Sequence, residues 1–158
     1  MNINEFTAKK IGEVVAFCTV GSDTLAKGGD ILAVHLGDAL ALDIIEKNTL
    51  YKEALLHIVA SSDMAAVTEA KATKTGDKLT AMREMYIGDQ WSNPVEIFEW
   101  SGFFYGAAIV HFAIVRGAAE ALGNESLLEL ANEAITWNYE ILESFESKLA
   151  EVGTDRAI

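Results

Sequence analysis

Between Trp100 and Val115 the chain reads WSGFFYGAAIVHFAIV, a run without a single Asp, Glu, Lys or Arg. In a protein of formal net charge −12, such a stretch is expected to lie under other protein or inside lipid. The run falls short of the roughly 20 residues that a membrane-spanning helix needs, and Ser101, Gly102 and Gly106 dilute it further. Glu99 and Arg116 close its ends. The expectation is a central helix buried within protein, with one histidine, His111, near its middle.

The rest of the chain supports a helical reading. There is one proline, Pro94, and no stretch alternates apolar with polar residues as a half-buried strand does. The fold class expected is all-α, a helical bundle in one domain over residues 1–158. Asn2 with Glu5 resembles a capping box, Asn93-Pro94 places proline at a first helical position, and Gly123-Asn124 pairs a stop with a start. These signals predict two long antiparallel helices at about 94–122 and 125–151. The first half reads as shorter helices near 3–26, 30–47, 49–61, 63–73 and 77–87. Their breaks are expected at Gly28-Gly29, Asn48-Thr49, Ser61-Ser62-Asp63 and Thr75-Gly76-Asp77. Joining the 30–47 and 49–73 pieces would leave four main helices and a crossover near 74–93.

Four helices with one long crossover resemble the ferritin-like superfamily, whose bundles connect two antiparallel pairs in that way. The resemblance is one of architecture. Its di-iron members carry Glu-x-x-His on two helices, and this sequence has no such tetrapeptide: three residues before His35, His57 and His111 stand Leu32, Ala54 and Ala108. The family's usual iron centre, with its oxidase and storage chemistry, therefore does not carry over.

Helical periodicity then assigns faces. In the last helix Leu127, Ala131, Ala134, Asn138, Ile141, Leu142, Phe145 and Leu149 share a side, with Glu129, Glu133, Glu140 and Glu143 opposite. Asn138 interrupts an apolar stripe, so its amide is expected to bond across the core or line a polar cavity. In the helix before it, Ile97, Trp100, Phe104, Ala108, His111, Val115 and Leu122 form the face expected to meet that stripe. His111, Asn138 and Trp100 are accordingly the candidates for a ligand pocket.

The other side of the same helix carries Gly102, Gly106, Ala113 and Gly117. Glycine destabilises a helix by about 0.8–1.0 kcal/mol relative to alanine, so a strip of small residues suggests close approach by another surface. These four are the interface candidates, covered either by the first-half helices or by a second subunit in a homodimer.

Catalytic signals are thin. No Gly-x-Ser-x-Gly or phosphate-binding Gly-x-x-x-x-Gly-Lys occurs, and AKGGD around Gly28 reads as a helix break. Glu53 and His57 are four apart on one helix side, a spacing that can hold a metal. With Glu13, Glu99 and His111 they are the candidate ligands; no cofactor is called for, and iron, manganese or zinc would require these residues to converge. Cys18 is alone and, among Ile11, Val14 and Leu25, is expected to be a buried small hydrophobe. Twenty-four acidic against twelve basic residues make nucleic acid and anionic membranes unfavourable partners. The absence of a leader pattern at the N-terminus points to the cytoplasm. The function expected is non-catalytic, acting through homo-oligomerisation or binding. The alternatives are a metal-dependent oxidoreductase of ferritin-like shape with a non-standard ligand set, and a carrier of a small apolar ligand in the bundle core.

Overall fold

Asn4, Asn93 and Asn124 each stand just ahead of a helix and accept a hydrogen bond from a backbone N–H of its first turn, which fixes where three of the helices begin. The computed structural model describes residues 3–158, and among these it contains five α-helices and no strand. They are α1 (Glu5–Leu36), α2 (Asp38–Ala60), α3 (Ala65–Ile87), α4 (Pro94–Leu122) and α5 (Glu125–Ala157). Asn2 of the expected capping box lies outside the described residues. Within them Asn4 caps α1, its Oδ1 accepting 2.9 Å bonds from both the N–H and the hydroxyl of Thr7.

The second half folds as its caps predict, with α5 running six residues beyond the expected end at 151. Gly123 takes φ 62°, a left-handed geometry that glycine enters without steric strain, and Asn124 restarts the chain 3.1 Å from the Leu127 N–H. The first half differs in part from its expected divisions. The break expected at Gly28-Gly29 is present: Gly29 has non-helical φ 10° and ψ −97°, so α1 is two helical segments meeting at a kink. Asn48-Thr49 and Thr75-Gly76-Asp77 are interior to α2 and α3. The turn between α1 and α2 falls instead at Gly37, with φ 88°. The Ser61–Asp63 break ends a helix as read, and the Gly28-Gly29 break interrupts one.

The reason lies in packing. Asn48 is buried, and its Nδ2 donates to the Tyr105 hydroxyl at 3.4 Å, so an apparent stop residue serves as a helix–helix contact. Gly76 lies where α3 crosses α1, a Cβ there falling 4.0 Å from that of Ala16. The burial of Asn48 and the helix packing around Gly76 outweigh the weak helix propensity of these residues.

α4 and α5 form an antiparallel hairpin held by aromatic rings. Phe145 lies 5.6 Å from Phe98 and is stacked on Tyr105 at 5.6 Å, and Tyr105 meets Trp137 edge-on at 6.1 Å. The predicted stripe of α5 from Leu127 to Phe145 is largely buried. The face of α4 that meets it is rotated from the expected one: Phe98 and Tyr105 turn to α5, while Phe104 lies 5.0 Å from Phe17 of α1 and Trp100 lies 6.0 Å from Tyr86 of α3. Cys18 is buried, and burial pushes its thiol up to about 12. Native protein is therefore expected to react with a thiol-specific disulfide reagent at least a hundredfold more slowly than unfolded protein at pH 8. Comparable rates would show that the α1 core opens freely.

Candidate functional site

Glu13 is the most buried charged group of α1, its side chain only 8% exposed, and an ionised carboxylate in that position needs partners. It has three. Lys10 donates to both oxygens at 3.1 and 3.0 Å, Lys71 of α3 reaches Oε1 at 3.0 Å, and Nδ1 of His111 on α4 lies 3.0 Å from Oε2. A carboxylate only accepts, so Nδ1 is the donor. In the neutral ring this leaves Nε2 as a free acceptor. The imidazole also packs on Phe17, with ring centres 4.8 Å apart.

Burial alone would raise the Glu13 carboxyl, but the hydrogen bonds from Lys71, Lys10 and His111 outweigh it and hold the group below its ordinary value of 4.5. A carboxyl depressed in the folded state contributes stability above its unfolded value, and that contribution is lost as pH falls through the folded value. Glu13→Gln is expected to lower stability by about 2 kcal/mol at pH 7, with the difference from the parent shrinking below pH 4.5. Urea unfolding at pH 7 and at pH 3.5 checks both signs.

The cluster closes one end of a cavity of about 260 Å³ between α1, α3 and α4. Lys71 and His111 lie at the polar end, Lys78 lines the trough seven residues further along α3, and Phe17 and Phe104 form a wall. Met82, Trp100 and Phe103 line the far end, where a second hollow of about 280 Å³ adjoins through the same three residues. Along α4 the lining runs from Trp100 to His111, about 16 Å at 1.5 Å per residue, so the space is a trough rather than a sphere. Trp100 is 1% exposed, and its indole N–H has no hydrogen-bond partner among the described residues. A larger cleft of about 380 Å³ between α1, α2 and α3 has a rim of exposed Asp23, Glu69 and Asp77 and lacks such a buried cluster.

Of the pocket candidates, His111 and Trp100 therefore share one cavity and Asn138 does not line it. The Asn138 amide donates at 2.7 Å to Ala134 O of its own helix, in place of the expected bond across the core. Among the metal candidates, Glu13 and His111 meet, while Glu53 and His57 on α2 and Glu99 on α4 are exposed. No group of three or more His, Cys, Asp or Glu among the described residues is arranged to hold a metal ion. Both Glu13 oxygens are already engaged by lysine.

Lys10, Lys71 and Lys78 were not singled out by sequence. Lys10 stood three residues before Glu13, a spacing that does pair side chains on a helix. Lys71 gave no local signal, because it reaches Glu13 from 58 positions away.

The interface strip is also placed. A Cβ at Gly102, Gly106 or Gly117 would meet nothing within 4 Å, so no helix of the first half covers this side, and Ala113 is half-buried. Beside the strip stand Phe103 at 58% exposure, Val110 at 61% and Ile114 at 37%. By length and composition α4 could cross a membrane, with mean hydropathy 1.4 over its most apolar window, and 39% of that window is buried by the chain itself. The fold and the trough define an all-α protein with a buried charge cluster at Glu13 and an open apolar face on α4. Comparison of the chain with protein-family models, curated proteins and solved structures finds no match.

Proposed function

We propose that the protein acts non-catalytically, as a homodimer joined through the open side of α4. The observation that carries this reading is the uncharged, water-facing surface of Phe103, Gly106, Val110 and Ile114. The residues suit a second copy of the same chain. In an antiparallel two-fold pairing of α4 centred level with Ala108, Gly106 lies opposite Val110, Gly102 opposite Ile114, and Ala113 opposite Phe103. Each large side chain then faces a small one. The same register brings Glu99 of one copy beside Arg116 of the other, twice per dimer. A parallel pairing would instead set Val110 on Val110 and Glu99 on Glu99.

The four main helices of this reading are α1, α2, α4 and α5 in a ferritin-like arrangement, with α3 in the long crossover. It is supported by the α4–α5 hairpin and by the packing of α1 on α2; α3, although it lies in the connection, packs along α1 as a fifth helix. The chemistry of that family is not part of the reading, since its iron-binding tetrapeptide is missing.

Sedimentation tests the dimer. The parent at tens of micromolar is expected at twice the 17.1 kDa chain mass. Val110→Glu and Gly106→Leu, both in open space, are expected to sediment as single chains with unchanged helical circular dichroism. A parent that stays monomeric, variants that dimerise like the parent, or association with lipid vesicles in place of self-association would overturn the reading.

A further inference from the structure

We propose that the trough between α1, α3 and α4 binds a medium-chain monocarboxylate, an unbranched acyl tail ending in one anionic head. Two independent features select this class. The first is charge. Glu13 is surrounded by Lys10 and Lys71, and Lys78 lines the trough about 10 Å further along α3, so positive charge is in excess along this trough in a chain of net charge −12. Lys71 gives one N–H to Glu13 and keeps two, and these suit a ligand carboxylate at the polar end of the trough. A cationic ligand would instead meet these lysines.

The second feature is shape. The apolar part of the trough leads away from the polar end along α4 for about three helical turns, past Phe104 and Ala107 to Trp100 and Met82. A volume of about 260 Å³ spread over that length accommodates a chain of carbons better than a fused ring system. Its walls offer the tail Phe17, Leu79, Met82 and Phe104, and methionine adapts to a tail of variable position. Glu13 is a positioning residue here: by accepting from Lys71 and from Nδ1 of His111 it fixes both side chains at the polar end of the trough.

These groups belong to one chain, and Phe103, at the far end of the trough, is the residue shared with the proposed dimer face. Hexanoate, octanoate and decanoate serve as probes, with octylamine and octanol as controls of the same tail, read by titration calorimetry and by Trp fluorescence. Octanoate is expected to bind with a Kd of about 0.1 mM. Affinity is expected to rise about fifteenfold with each two-carbon extension until the trough is filled, because burying a methylene strengthens binding by roughly fourfold. Lys78→Ala, at an exposed position, is expected to weaken octanoate at least fivefold and octanol hardly at all. Ala107→Phe, which fills the trough from α4, is expected to abolish binding with the helical content retained. The proposal fails if no probe saturates at millimolar concentration, if octylamine binds as tightly as octanoate, or if Ala107→Phe binds like the parent. Repeating the titration on Val110→Glu is expected to give the same Kd, which keeps this result separate from the oligomeric state.

Discussion

Phe145→Ala is expected to lower the unfolding free energy by about 4 kcal/mol, the range measured when a large core aromatic is truncated and its cavity stays partly open. The site offers little room for collapse. Phe145 is fully buried, its ring stacked on Tyr105 at an interplanar angle of 17° and tilted against Phe98. Both neighbours are themselves buried and fixed on α4, so neither can swing into the space without leaving its own contacts. The loss combines apolar transfer with the ring–ring preference of about 0.5–1.5 kcal/mol per pair. For a chain of this size each kcal/mol shifts the melting temperature by about 2–4 °C, which predicts a drop on the order of 10 °C. Phe145→Leu, which keeps most of the volume, is expected to lose less than half as much. Equal losses for the two variants would mean that α4 and α5 are not held by this seam.

That seam was partly visible beforehand, and the reason shows what local sequence encodes. Pro94, Gly123 and Asn124 fix helix ends through backbone geometry and capping, which are local properties, and α4 and α5 begin where those residues say. The α5 stripe follows because its charged residues sit on one side only. By contrast, α4 has so few charges that periodicity cannot say which apolar residue faces which neighbour. Trp100 and His111 were assigned to the α5 side and belong with α1 and α3. Asn48 and Gly76 look like stops because both are weak helix formers, yet each lies inside a helix: the Asn48 amide donates to Tyr105, and Gly76 faces Ala16 of α1.

The candidate site was legible in its buried members and not in its charged ones. His111 stood out as one imidazole within an uncharged run. Glu13 entered only as a distant metal candidate, and its actual role, accepting from two ammonium groups and an imidazole, depends on Lys71 arriving from another helix. Lysines in α3 look like surface charges in sequence, since that helix lacks a clear apolar stripe and exposes most of its length to water. Pairings of this kind are set by tertiary structure, and no spacing rule within one helix reveals them.

Gly12→Ala is expected to destabilise the fold by about 3 kcal/mol, although alanine is the better helix former by about 1 kcal/mol and the change adds one methyl group. At this position a Cβ would stand 2.5 Å from the carbonyl oxygen of Thr68, 2.9 Å from the Cβ of Lys71 and 3.1 Å from the backbone nitrogen of Ala72. Two of these are main-chain atoms of α3, so relief requires moving a helix rather than a rotamer. The crossing is clamped nearby by the Thr68 hydroxyl, which donates to Ala8 O at 3.2 Å, and separation of α1 from α3 strains that bond first. Lys71 is carried outward with α3, away from Glu13 of the next residue pair, so the polar end of the trough loosens together with the fold. Gly106→Ala provides the opposite sign in the same experiment: its Cβ would enter open space, and the single chain is expected to gain up to about 1 kcal/mol from helix propensity. Urea unfolding of the two variants, with Gly106→Ala studied in the Val110→Glu background to exclude self-association, decides the matter. If Gly12→Ala proved as stable as the parent, the close contact of α1 with α3 that places Lys71 on Glu13 could not be the arrangement adopted in solution.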